Sequence, residues 1–157
     1  MIFDPVQYSQ LKKLSPELLR ESVAVTVMGY RKGDSNNLSA SNGYTYFSTQ
    51  DSQIHSWEDD YGLCSRSFRP DEDFKAAWLM EEQIQRLHLT KPYARALISR
   101  LEEHFPDWVD DGFQIAHAPL QLRCVAAVYA VKVAGGRDVA LRTARRAEEM
   151  YNEKSKV

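Results

Sequence analysis

Paired carboxylates are the commonest reactive grouping in this sequence: Asp59-Asp60, Asp71-Glu72-Asp73, Glu81-Glu82, Glu102-Glu103 and Asp110-Asp111 each set acids side by side. A hydrolase needs one carboxyl group held protonated and another ionised, so a pair becomes catalytic only where its surroundings separate the two. Helix starts and solvated faces are the simpler reading, because perturbed groups rather than mere neighbours mark a site. Thiol chemistry has two candidates. Cys124 falls on a stretch that reads as a buried helix, which leaves Cys64, near Arg66 and His55, as the better nucleophile, against the commoner reading of cysteine as a small apolar residue. The four histidines, His55, His88, His104 and His117, never stand at i, i+4 and do not join cysteines at zinc-finger spacing, so no metal site is expected. Neither a phosphate-cradling glycine loop nor a Gly-x-Ser-x-Gly elbow is present. No cofactor is expected and no catalytic residue is assigned.

Recognition chemistry is richest from Trp57-Glu58-Asp59-Asp60-Tyr61 through Arg66-Ser67-Phe68-Arg69, where aromatics and both charge signs fall outside any strong helix. A partner protein would use Trp57 and Tyr61 as anchors with Asp59 and Asp60 around them. A nucleotide would stack on an aromatic and pair its phosphates with Arg66 and Arg69. The plainer alternative is that Trp57 and Phe68 complete the core, and Trp78 and Trp108 lean further that way.

The elements that must position these residues belong to a chain of 157 residues, enough for one domain, with 43% apolar and 27% charged residues, the composition of an ordinary globular protein. A net charge of −2 removes the basic excess expected of a protein that holds nucleic acid by its backbone, so direct nucleic-acid binding is disfavoured. Charge is unevenly spread. Residues 51 to 82 hold nine acids against three bases, and residues 113 to 157 hold eight bases against four acids, with Arg142, Arg145 and Arg146 close together. Either both are solvated faces, or they form a two-signed surface for a partner or for self-association. Two cysteines, an amino terminus without a leader pattern and no long apolar run point to a reducing cytoplasm and away from a membrane.

Ser15-Pro16-Glu17 joins a capping hydroxyl, a proline at the first helical position and an acid, which predicts a helix over about 16 to 28 although Val23 to Val27 is rich in β-branched residues. Residues 31 to 42 read as a loop. Tyr44 to Ser48 reads as a short strand pairing with Ile54 to Trp57, and Gly112 to His117 reads as another strand. Helices are predicted over about 71 to 88 and over Thr90 to Phe105, with His88 and His104 in their last turns. An almost wholly apolar helix from Leu120 to Ala134 should be the central buried one, ended by Gly135-Gly136. A last helix carries a thin stripe of Ala140, Ala144, Ala147 and Tyr151. The fold class expected is therefore α+β: residues 1 to 136 form one helix-rich domain with a small antiparallel sheet, and 137 to 157 form a basic helix with a frayed tail.

Ser15-Pro16-Glu17-Leu18-Leu19, closing with Val27-Met28-Gly29-Tyr30, resembles the opening of small tailed-phage and prophage proteins of the phage ABA-sandwich family. Phe68-Arg69-Pro70-Asp71-Glu72-Asp73-Phe74-Lys75-Ala76-Ala77-Trp78 resembles that family's approach to an Ala-Ala-Trp helix, and Ala118-Pro119-Leu120-Gln121-Leu122-Arg123-Cys124 resembles its closing helix. The matched segments are packing elements, so the likeness carries fold before function. It implies a phage accessory protein that binds and antagonises a host defence component by protein contact. Two other readings stand beside it: a sponge for a small nucleotide signal, and a small hydrolase built on an acidic pair. A homo-oligomer through the helix bearing Arg142, Arg145 and Arg146 would suit its thin apolar stripe.

Overall fold

Local capping chemistry and one apolar helix organise the chain, and the computed structural model describes residues 5–32, 46–48 and 68–155. Helix α1 (Pro5–Lys12) precedes α2 (Pro16–Ser22), where the Ser15 hydroxyl accepts the Leu18 N–H at 3.3 Å and Pro16 fills the first turn. The next five residues, Val23–Val27, stay helical but widen into a π-helical turn, with the Met28 N–H bonded back to the Val23 carbonyl. Burial of Val23, Ala24 and Val27 accounts for a helical path through a β-branched run. Gly29, at φ +70°, then reverses the chain into β1 (Tyr30–Lys32).

Strand β1 pairs antiparallel with β2 (Tyr46–Ser48), Arg31 opposite Phe47. This three-residue ribbon is the whole sheet among the described residues, and helices build the core, so the described part of the protein is all-α rather than the α+β expected. The sandwich implied by the phage resemblance is not what these residues form. Tyr46–Ser48 pairs with Tyr30–Lys32, so the first two residues of the loop expected over 31 to 42 are strand; the expected partner, residues 54 to 57, the rest of that loop and Cys64 lie outside the described residues.

Helix α3 (Phe74–Arg86) starts where the Asp73 carboxylate accepts the Lys75 N–H, and α4 (Thr90–Leu101) follows a sharp reversal. His88 makes that reversal at φ +57°, while the Leu89 N–H reaches the Ile84 carbonyl and the His88 N–H reaches the Gln85 carbonyl. His88 and His104 therefore sit just past helix ends rather than in last turns. Gly112 to His117, expected as strand, instead falls in α5 (Asp111–Ala116) and its C-cap, His117. Asp110 supplies the cap by accepting the Phe113 N–H, which overrides the apolar alternation of Phe113 and Ile115.

Helix α6 (Leu120–Val133) is the centre: every residue from Cys124 to Val131 is buried, with α1, α3, α4 and the π-helical turn packed around it. It ends at Gly135 and Gly136, both at positive φ. Helix α7 (Arg137–Ser155) is helical at 153–155, the described part of the tail expected to fray. Only Ala140 and Ala144 of its stripe are buried; Ala147 and Tyr151 face solvent. Arg137 anchors its start by donating to the Val27 carbonyl at 3.2 Å, its guanidinium lying where a Gly29 side chain would stand.

Candidate functional site

Among the described residues five aromatic side chains are exposed: Phe74, Trp78, Trp108, Phe113 and Tyr151. Phe74 and Trp78 share one face of α3, with the Trp78 indole N–H donating to Glu82. Among the described residues Trp108 is the most exposed large apolar residue, at 85%, and Phe113, five residues on, is half exposed. Both tryptophans were expected in the core. Trp108 is presented rather than buried because Pro106 closes a tight turn, the Val109 N–H bonding the Pro106 carbonyl at 3.0 Å, with Trp108 near its apex.

The surface around Trp108 is held from several sides. Gln114, at 5% exposure, donates its amide to the Val109 carbonyl at 2.8 Å, locking α5 to the turn; its Oε1 has no partner among the described residues. Phe105 meets the edge of Phe113, and Phe113 stacks on His117 with ring centres 4.1 Å apart. Arg123 of α6 fastens the other end of α5, donating to the carbonyls of Ile115, Ala116 and Ala118 at 2.8–3.1 Å and to Glu81 at 2.9 Å. Glu81 also accepts the Tyr93 hydroxyl. Burial first, and then the Glu81 charge, pushes the Tyr93 hydroxyl above its ordinary range, so it stays a donor.

The chain segment that carries Trp108 is acidic. Residues 102 to 111 hold Glu102, Glu103, Asp107, Asp110 and Asp111 with no lysine or arginine. Only Glu103 is in ion pairs among the described residues, with Arg100 and Lys12. The result is a rigid aromatic platform inside an acidic rim, suited to a basic protein surface.

Of the residues expected to form the site, Trp57, Asp59, Asp60, Tyr61 and Arg66 lie outside the described residues. Arg69 is described: its guanidinium is 3.4 Å from Glu72, in a cluster where Arg20 forks onto Asp71 at 2.7 and 3.0 Å and reaches Glu72 at 2.8 Å. The Asp71 hydrogen bond raises the Arg20 pKa, which makes that cluster a clamp between α2 and the turn before α3. Arg142, Arg145 and Arg146 are exposed on α7 and form no ion pair with a described residue. Cys124 is buried, and burial raises its thiol pKa, which keeps it inert at neutral pH.

Among the described residues no three His, Cys, Asp or Glu side chains gather as metal ligands, and no helix is long and apolar enough to cross a membrane. The Trp108 platform went unread in the sequence, although Pro106-Asp107 before it and Asp110-Asp111 after it are turn and cap residues that break any helical stripe. Comparison with family models, curated proteins and solved structures finds no match for this chain, so the likeness to phage proteins rests on the quoted segments alone.

Proposed function

We propose that this protein is a non-enzymatic binding protein whose α4–α5 face docks on a basic surface of a protein partner. The observation that carries this reading is Trp108, a large apolar side chain standing in water on a backbone fixed by hydrogen bonds at Val109, Gln114 and Arg123. Large, conformationally fixed aromatic side chains are among the residues most often found as anchors of protein contacts. Seating Trp108 in a partner pocket is worth about 2–4 kcal/mol, while the acidic rim speeds encounter and rejects acidic partners. The phage resemblance extends the reading to antagonism of a host component, a defence system, in the bacterial cytoplasm.

The test is retention of partners from bacterial lysate by the full chain, by Trp108→Ala and by Phe74→Ala. A protein held by the wild type and by Phe74→Ala but lost from Trp108→Ala is the expected result. Equal retention by all three removes this face.

A further inference from the structure

Arg142, Arg145 and Arg146 are spaced i, i+3 and i+4 along α7, all exposed. Arg142 and Arg146 are like charges one turn apart; Asp138 precedes Arg142 in the favourable order for a local pair, whereas Glu149 follows Arg145 and Arg146 in the less favourable one. Helix α7 is lightly held: Ala140, Ala144, the Arg137 bond to Val27 and the 3.1 Å contact of His88 with Glu148 tie it down, and Met150 and Tyr151 beyond are exposed. The acidic platform is the chemical complement of these arginines. Guanidinium groups stack on indole faces and fork onto carboxylates, which Lys does less well.

The two surfaces do not meet within one chain. Glu148 touches His88, just before α4, whereas the acidic run starts at Glu102, just after it, and the twelve residues of α4 separate those points by about 18 Å. We propose that two copies of this chain dock side by side in opposite directions, the Trp108 platform of each resting on the arginine face of α7 in the other. A two-fold axis uses each surface twice and leaves neither exposed. The proposal rests on the contact reading above and deepens it by naming what occupies the platform when no outside partner is bound.

The test is the solution mass of the full chain by sedimentation, at physiological salt and again at about 1 M salt, where exposed ion pairs are screened. One variant carries Arg145→Glu and Arg146→Glu; a second carries Glu102→Arg and Asp107→Arg. All four positions are exposed, and circular dichroism confirms that each variant folds. Wild type is expected at twice the 18.0 kDa chain mass, dissociating in high salt. Each variant alone is expected to dimerise at least about tenfold more weakly, since like charges then face each other, and an equimolar mixture to regain the double mass because both contacts are restored. A wild type at single mass, variants that dimerise unchanged, or a mixture without recovery would each overturn the proposal. A single-mass wild type leaves the lysate test to judge the contact reading by itself, and an intact dimer that retains no partner counts against that reading alone.

Discussion

Arg123→Met removes the side chain that fastens α5 beneath the platform, and its effect can be worked from the contacts. Four charged-donor hydrogen bonds at 2.8–3.1 Å are lost, three of them to carbonyls at the end of α5, and Glu81 loses its cation. Removing one partner of a buried pair costs about 3–5 kcal/mol. Glu81 is about a quarter exposed and keeps the Tyr93 hydroxyl, so about 2–4 kcal/mol is expected. Arg123→Lys restores the charge without the planar fork and should recover less than half of this. Urea unfolding followed by circular dichroism measures both, and in a chain of this length the larger loss lowers the melting temperature by about 5–15 °C. A loss below about 1 kcal/mol for Arg123→Met, with an unchanged urea slope, would refute the claim that this arginine holds α5 in place.

Gly29→Ala is expected to cost at least about 1–2 kcal/mol, because φ is +70° there and the added carbon would stand 2.6 Å from the Arg137 guanidinium; the cost should shrink in an Arg137→Ala background, which thermal melts of the four chains will show. Alkaline stability should fall with a definite sign: burial pushes the Tyr8 hydroxyl up to about 12 from an ordinary value near 10, so its contribution is whole below pH 10 and is lost as pH rises towards 12, about 2–3 kcal/mol in all. Unfolding midpoints from pH 9 to 12 should therefore drop less steeply in Tyr8→Phe than in the wild type, and parallel curves would count against that assignment.

The elements legible in the sequence are those fixed by chemistry within a few residues. Ser15 with Pro16 starts a helix wherever it stands, Gly135-Gly136 ends one, and the apolar run after Cys124 has nowhere to go but inside. Helix α5 was misread because Phe113 and Ile115 alternate like a strand, and the Arg123 fork that takes its carbonyls comes from a separate helix. Pro5–Lys12 went unread because its buried face consists of only Tyr8 and Leu11, too few to set a helical period. Tryptophan is most often buried, so Trp108 passed for core; its exposure follows from the Pro106 turn and the Asp110 cap acting together. The pairing of Tyr46–Ser48 with Tyr30–Lys32 was hidden for the same kind of reason, since strand partners are chosen across distance and three residues carry too little pattern.

The central claim is that Trp108 anchors a protein partner, and calorimetric titration of the protein retained from lysate tests it most directly, using wild type and Trp108→Ala side by side. The account predicts binding weakened at least about thirtyfold in Trp108→Ala, the loss of an interface anchor, with the helical circular dichroism spectrum unchanged because that side chain is 85% exposed in the single chain. Equal affinity in the two proteins would contradict it.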